Sequence, residues 1–176
     1  IYGGLIFVES SPRNVSESQA RDVIAAAPLQ YVGVFRNAAI EKVAATAGAL
    51  SLAAVQPHGS EDQDYINAFR EVVETQVQIW KERSVAEILP PRTLQHIDKY
   101  VLDNGQGGTG QRFDWSLLDG EKLDNVLLAG GLSPDNCVEA AKAGCAGLDF
   151  NSGVDSQPGI KDASKLASVF KTLRAY

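Results

Sequence analysis

An aspartate at the end of a short apolar run is the first residue whose position suggests chemistry. Asp103 closes the run KYVLD, and the glycine-rich segment GQGGTG begins two residues later. A carboxyl group at this point is either a general acid or an ordinary cap or turn residue. The segment is too flexible to be a simple cap, and Gly107, Gly108 and Gly110 predict a loop that closes over a ligand.

Two later loops combine glycines with small polar residues in a way that suits an anion. Their members are Gly130 and Gly131 in LLAGGL, and Asn151, Ser152 and Gly153 in DFNSGV. Such loops offer unhindered backbone N–H groups beside the start of a helix, which is a common phosphate-binding arrangement. A glycine pair by itself also fits a tight turn. The recurrence of the pattern after two successive strands favours a phosphate.

Polar side chains that suit the rest of a ligand follow two earlier strands. Arg13 lies in SSPRNV, and its planar guanidinium fits a ligand carboxylate, although a surface arginine is as common. Gln56 and His58 lie in VQPHGSE, where the histidine either lines a pocket or is solvated. Lys81 is expected at a solvated strand end rather than inward, and the run Glu61–Asp64 is expected to be a solvated helix start.

The composition limits the class of partner. The 176 residues have a net charge of −6, which disfavours nucleic acid and anionic membranes. The hydrophobic fraction of 44% is enough for one domain with a substantial core, and no apolar run approaches the roughly 18 residues that span a bilayer. Cys137 and Cys145 match neither a disulfide framework nor a zinc motif, so no metal site is predicted. Both cysteines are expected to be buried small side chains in a reducing cytoplasm. Because nucleic acid and anionic membranes are disfavoured, the expected partner is a small molecule.

The elements that must position these residues alternate along the chain between strands and helices. Seven β-rich runs are predicted at 2–8, 31–36, 50–56, 77–82, 99–103, 125–131 and 147–153. Helical patterns are predicted at 16–27, 40–48, 61–73, 133–144 and 162–176. Ser16 is the expected N-cap of the first helix, and Pro90 and Pro91 argue against a long helix between 83 and 98.

This alternation predicts an α/β fold with a parallel sheet and right-handed crossovers. An open doubly wound sheet that binds a dinucleotide is expected to carry a GxGxxG turn after its first strand, and YGGLIF does not supply one. Polar, glycine-bearing loops instead follow many of the strands, as at the carboxyl-terminal face of a closed barrel. We therefore predict a (βα)8 TIM barrel with one domain over residues 1–176, of which seven units are counted.

Six motifs in order along the whole chain carry a family resemblance. They are SSPRNV, VGVF, AAVQPHG, VLDNGQGGTGQRFDW, LLAGGLSPDNC and LDFNSGVDSQPGIKD. Together they resemble phosphoribosylanthranilate isomerase of tryptophan biosynthesis. The likeness is greatest to the isomerase half of the enterobacterial bifunctional protein, in which an indole-3-glycerol-phosphate synthase precedes it. The resemblance implies a fusion to such a synthase domain.

The resemblance also implies a reaction, an Amadori rearrangement of phosphoribosylanthranilate that converts an aminoaldose to an aminoketose without metal or cofactor. It assigns the general acid to Asp103 and the contact with the anthranilate carboxylate to Arg13. It assigns the phosphate to the last two loops and the remaining pocket lining to three residues, Gln56, His58 and Asp149.

Two departures from the family pattern set further expectations. The family's general base is a cysteine in a CG.T motif at the first strand, and neither Cys137 nor Cys145 matches it. We therefore expect the first βα unit to be missing and turnover by these residues alone to be weak or absent. The alternative is a silent fragment that keeps the fold and phosphate binding. An open barrel also predicts self-association through strand edges, and Pro57, where the family has an apolar residue, predicts disturbed pairing or a displaced His58.

Overall fold

The structure, a computed structural model of the chain, describes residues 1–105 and 111–176. The chain forms two compact units, each of which contains parallel strands that alternate with helices. Within the described residues, none of the helices is long and apolar enough to cross a membrane.

The first unit comprises Ile1–Glu82 and Thr93–Lys99. Its strands are β1 (Tyr2–Ile6), β2 (Gln30–Phe35), β3 (Ala54–Pro57) and β4 (Gln78–Ser84), the last two residues of which belong to the second unit. Its helices are α1 (Glu17–Ala26), α2 (Ile40–Ala49) and α3 (Gln63–Val72). Each strand pairs in parallel with the next one along the chain. Because side chains alternate along a strand, Val55 and Ile79 face the helices and enter the core, whereas Gln56 lies on the opposite face.

Local signals explain where two helices of this unit begin. Ser16 caps α1 in a capping box, since its Oγ accepts from the Gln19 backbone N–H at 3.2 Å and its own N–H donates to Gln19 Oε1 at 2.8 Å. This confirms the N-cap predicted from the sequence. Asp62 caps α3 through the Tyr65 backbone N–H at 3.0 Å.

The second unit comprises Arg83–Arg92 and Tyr100–Tyr176. Its strands are β5 (Lys99–Asp103), which it contains from Tyr100 onward, β6 (Val126–Leu128) and β7 (Gly147–Leu148). Its helices are α4 (Cys137–Lys142) and α5 (Ala163–Ala175). The three strands pair in parallel in that order. A short antiparallel hairpin of β8 (Asp155–Gln157) and β9 (Ile160–Lys161) was not foreseen from the sequence.

All seven predicted strands are present, but several are shorter than their apolar runs. β6 stops at Leu128 because Gly130 and Gly131 have φ angles of +82° and +67°, which no extended strand adopts. The helix predicted at 133–144 is confined to α4 because Ser133 to Asn136 form a turn. The elements confirm the α/β class, and the eighth unit of a barrel stays a prediction.

Pro57 leaves the pairing of β3 with β2 intact, whereas the pairing of β3 with β4 ends two residues before it, at Val55 opposite Ile79. Pro57 lies opposite Phe35 in the parallel register, and the His58 backbone N–H donates to the Phe35 carbonyl at 2.7 Å. The N–H that proline lacks is not a donor toward β2, because alternate residues of a strand direct their N–H groups to opposite neighbours. The backbone of His58 therefore stays hydrogen-bonded to β2.

Candidate active site

Asp103 stands at the carboxyl end of β5, as the sequence predicted, with one carboxylate oxygen sheltered from solvent. Its Oδ1 is buried and finds no hydrogen-bond partner among residues 1–105 and 111–176. Gly130 lies against this oxygen, because a Cβ added there would be 2.7 Å from it. A buried polar oxygen without a protein partner is costly, which is typical of a group kept for a ligand or for catalysis.

The loop after β6 is held in shape by one asparagine. The Asn136 side chain donates from Nδ2 to the Gly131 carbonyl at 2.9 Å and accepts at Oδ1 from the Ser133 backbone N–H at 2.8 Å. The positive φ angles of Gly130 and Gly131 turn the backbone sharply within this clamp. The two glycines therefore present their backbone in a fixed conformation.

The loop after β7 touches the loop after β6 backbone to backbone. A Cβ added at Gly153 would be 2.0 Å from the Leu132 carbonyl oxygen, so only glycine fits there. Asn151 and Ser152 precede this contact, and Lys161 Nζ donates to the Asn151 carbonyl at 3.0 Å and to its Oδ1 at 2.9 Å. The structure thus brings together the two loops that the sequence predicted to hold an anion.

Asp149 and Asp103 share one face of the sheet in the second unit. Leu102, Leu128 and Leu148 lie at equivalent positions of β5, β6 and β7 and enter the core. The residue that follows each leucine points the other way. Asp103 and Asp149 therefore lie two strands apart, about 10 Å by the usual strand spacing, on the face away from the helices.

Gln56 and His58 form a hydrogen-bonded pair at the carboxyl end of β3 in the first unit. Gln56 is buried, and its Nε2 lies 3.1 Å from His58 Nδ1. An amide –NH₂ group only donates, so Nδ1 accepts and a neutral ring carries its hydrogen on Nε2. The pair holds the imidazole in one orientation.

Arg13 lies between β1 and α1 and is half-buried, with its backbone N–H donating to Ser11 Oγ at 3.1 Å. It belongs to the same unit as Gln56 and His58, and β1 and β3 are both neighbours of β2. Three further predicted residues, Gly107, Gly108 and Gly110, lie outside the described residues.

A buried ion pair that sequence reasoning missed supports the loop after β3. Lys81 Nζ lies 3.3 Å from Glu61 Oε2 and also donates to the carbonyl oxygens of Pro57 at 3.2 Å and Gly59 at 2.8 Å. The Glu61 carboxylate in turn accepts from the backbone N–H groups of Asn37 at 2.7 Å and Gly59 at 2.8 Å. The network joins the loops after β2 and β3.

The expectations that Lys81 and Glu61 are solvated are wrong. The two side chains are 1% and 2% exposed. Alternation along β4 places Lys81 on the face of Ile79, toward the core, and its ammonium reaches the loop carbonyls from there. A lysine inside a nearly continuous apolar run was the available signal, because a charge in such a run needs partners.

Burial raises the pKa of two further ionisable groups, Tyr65 and Cys145. Burial, with the charges of Glu61 and Glu41, raises the pKa of Tyr65 to about 12, so its hydroxyl stays neutral and donates to the Ala38 carbonyl at 3.0 Å. Burial also raises the pKa of the Cys145 thiol. In the described part of the chain no group of three or more His, Cys, Asp and Glu side chains could hold a metal ion.

Comparisons with known proteins agree on one family. Residues 1–172 match the family described as N-(5'phosphoribosyl)anthranilate (PRA) isomerase. The chain is 70% identical over its whole length to the tryptophan biosynthesis protein TrpCF of Salmonella typhi, and 64% identical to that of Yersinia pestis. It spans 39% and 37% of the lengths of these two relatives.

Solved structures give the same result. A phosphoribosyl anthranilate isomerase from Thermus thermophilus matches with a TM-score of 0.86 and 27% identity, over 99% of this chain and 88% of that one. A phosphoribosyl anthranilate isomerase in complex with reduced 1-(o-carboxyphenylamino)-1-deoxyribulose 5-phosphate matches with a TM-score of 0.80 and 27% identity, with the same coverage.

Proposed function

Since this chain belongs to the PRA isomerase family, we propose that it catalyses the rearrangement of N-(5'-phosphoribosyl)anthranilate to 1-(2-carboxyphenylamino)-1-deoxyribulose 5-phosphate in tryptophan biosynthesis. The observation that carries the proposal is the sheltered, unpartnered Oδ1 of Asp103 beside Gly130, among the residues described. A solved family member binds a reduced form of that product, which supports a phosphosugar as the ligand.

Asp103 is the proposed general acid. Its carboxyl proton goes to the ribose ring oxygen, the bond between that oxygen and C1 breaks, and the anthranilate nitrogen forms a double bond to C1. A general base then removes the proton at C2, and the resulting enolamine tautomerises to the ketone. General acid catalysis of this kind contributes about 10²–10⁴-fold in rate. The family's base is a cysteine whose motif no position of this sequence matches.

The phosphate is proposed to bind the two loops of the second unit. Gly130, Gly131 and Gly153 have no side chain to hold an anion away from the backbone N–H groups. Asn151 and Ser152 add side-chain donors. Arg13 is proposed to bind the anthranilate carboxylate, because a guanidinium pairs with a carboxylate in two parallel hydrogen bonds.

Gln56, His58 and Asp149 are proposed to line the pocket. The His58 ring, held at Nδ1 by Gln56, is left with Nε2–H as a donor toward a ligand oxygen. The reaction as proposed needs no cofactor and no metal, because a proton donor and a proton acceptor complete it.

A second candidate function is phosphate binding without turnover. It applies to residues 1–176 by themselves, in which neither Cys137 nor Cys145 matches the family's base cysteine. The two candidates differ in a single assay, because the second one predicts ligand binding with no conversion of substrate.

We further propose the larger context of the domain. Seven parallel strands and 88% coverage of the solved relative support an eight-unit barrel as the complete fold. Coverage of 39% of the Salmonella typhi relative supports a further domain in the natural protein, proposed to be the indole-3-glycerol-phosphate synthase. A cytoplasmic location and self-association through strand edges stay predictions.

The test is Asp103→Asn in the protein at its full natural length. The amide cannot donate the proton, so turnover should fall by about 10²–10⁴-fold. Turnover is measured from the fall in fluorescence of the anthranilate group of the substrate. Binding of a reduced product analogue, measured by calorimetry, should stay within about threefold of the parent, an allowance that is small beside a tenfold step of affinity.

Asp119→Asn is the matched control, because Asp119 is an exposed residue that follows the 3₁₀ turn Trp115–Leu118. It should leave both turnover and binding unchanged. Full turnover by the Asp103→Asn variant would refute the assignment of the acid. Tight binding of the analogue by a parent protein without turnover would instead favour the second candidate.

A further inference from the structure

We propose that Lys161 is a positioning residue for the phosphate, because it fixes Asn151 so that the asparagine amide offers a donor and not an acceptor. The inference deepens the proposed function and rests on its assignment of the phosphate to the loop after β7. Nothing in the family motifs used above gives Lys161 a role.

The Lys161 ammonium group has three hydrogens and meets three acceptors of this loop and hairpin. It donates to the Asn151 carbonyl at 3.0 Å, to Asn151 Oδ1 at 2.9 Å and to Asp155 Oδ1 at 2.7 Å. A lysine ammonium has no further donor to offer. Lys161 therefore acts on a bound anion through Asn151 and not by direct contact.

The hydrogen bonds from Lys161 to both oxygens of Asn151 fix the orientation of the Asn151 side-chain amide. A carboxamide rotates over two nearly equivalent orientations unless a neighbour selects one of them. With Oδ1 bound to the ammonium, Nδ2 and its two hydrogens are turned away from Lys161. Phosphate oxygens only accept, so an amide fixed in this way attracts a phosphate, whereas the flipped amide would direct an oxygen at it.

The hairpin holds Lys161 in place for this task. Asp155 and Lys161 are partners in the β8–β9 pairing, and the Asp155 side chain is 5% exposed. The Lys165 ammonium donates to the Asp155 carbonyl at 2.8 Å, and the Asp162 backbone N–H donates to the Val154 carbonyl at 2.8 Å. Contacts from the start of α5 thus fasten the hairpin on which Lys161 is carried.

Lys161 is suited to a test because it is 41% exposed. Its partner Asp155 is only 5% exposed, so loss of the ammonium also costs stability, and phosphate binding is compared only between variants whose circular dichroism matches that of the parent. Lys161→Met keeps the aliphatic stem and removes the ammonium. Lys171→Met is the matched control, since Lys171 is an exposed lysine of α5 that lies outside the hairpin.

The experiment measures the dissociation constant of inorganic phosphate and the steady-state constants of the full-length protein. Lys161→Met should weaken phosphate binding and raise KM by about 10-fold, the usual worth of one hydrogen bond to a charged group, with kcat unchanged. Lys161→Arg keeps a cation and should recover most of the loss. Lys171→Met should bind phosphate as the parent does.

A double-mutant cycle with Asn151→Ala separates positioning from a general effect of charge. If Lys161 acts through Asn151, the double variant should bind phosphate as weakly as Asn151→Ala alone. Additive losses would overturn the proposal, as would unchanged phosphate binding by Lys161→Met or equal losses in Lys161→Met and Lys171→Met. If the parent protein itself binds no phosphate, the proposed phosphate site fails and this inference fails with it. If the parent binds phosphate and Lys161→Met binds it equally well, only this inference fails.

Discussion

Removal of the Lys81 ammonium should be among the most damaging single changes in the first unit. Lys81→Met leaves the Glu61 carboxylate buried with two backbone N–H donors, from Asn37 and Gly59, and without its cation. Removal of one partner of a buried pair costs about 3–5 kcal/mol. The Pro57 and Gly59 carbonyls lose a charged donor in the same change, while the two N–H donors that remain on Glu61 keep the cost within that range.

The natural assay is hydrogen–deuterium exchange of the β3 amides in the full-length protein. A loss of about 3–5 kcal/mol in opening free energy accelerates exchange by about 10²–10⁴-fold, since about 1.4 kcal/mol is a factor of ten. The matched control is Lys122→Met, because the Lys122–Asp124 pair spans 3.7 Å and its side chains are 86% and 66% exposed. That change should accelerate exchange by less than about threefold.

The double variant Lys81→Met with Glu61→Gln tests the cause. With both charges gone, no uncompensated ion is buried, so the loss should be at least about 2 kcal/mol smaller than the sum of the two single losses. Exchange of the β3 amides within about fivefold of the parent in Lys81→Met, or strict additivity in the cycle, would refute the reasoning. Such a result would mean that water or a shifted loop compensates Glu61.

Two further predictions concern the ligand loops. Arg13→Lys should weaken binding of a carboxylate-bearing product analogue by about 10-fold and leave inorganic phosphate binding alone, as measured by calorimetry, because a point charge replaces a two-pronged fork. Arg21→Lys on the exposed face of α1 should change neither, and equal losses for both ligands would exclude Arg13 as the carboxylate contact. Gly153→Ala should lower the melting temperature and weaken phosphate binding, at a cost of about 1–3 kcal/mol in stability, since its Cβ would overlap the Leu132 carbonyl. Gly48→Ala in α2, where nothing lies within 4 Å, should be neutral or stabilising, and an equal melting temperature for both variants would contradict the overlap.

The order of strands and helices could be predicted because it depends on local signals. The capping box of Ser16 and Gln19 and the alternation of apolar runs need only a few neighbouring residues. The ends of β6 were overestimated because the apolar run continues through Ala129 to glycines whose positive φ angles the letters alone do not reveal. The α/β class could therefore be predicted from the sequence, whereas the lengths of the strands depend on backbone angles that the sequence does not reveal.

The positions of the candidate site residues were predictable for a similar reason, whereas their supporting contacts were not. Asp103 follows an apolar run directly, so its place at a strand end is a local property. Lys81 and Glu61 are twenty residues apart, and hydrophobic periodicity says nothing about which distant groups meet. The β8–β9 hairpin was missed although Pro158 and Gly159 supplied a turn signal, since its strands are only two or three residues long.

Lys81 and Lys161 each stabilise a loop through hydrogen bonds from their ammonium groups, but in two different environments. Lys81 donates to two backbone carbonyl oxygens of a loop and to the Glu61 carboxylate. Lys161 donates to the backbone and side-chain oxygens of Asn151 and to the Asp155 carboxylate. An ammonium suits this task because its three hydrogens diverge from a single point toward acceptors that surround it, whereas a planar guanidinium requires acceptors in one plane. The environments decide the consequence of losing each lysine. Lys81 and its partner Glu61 are both buried, so loss of Lys81 should act mainly on folding, whereas Lys161 is 41% exposed beside the buried Asp155, so its loss should act on the affinity for phosphate as well as on stability.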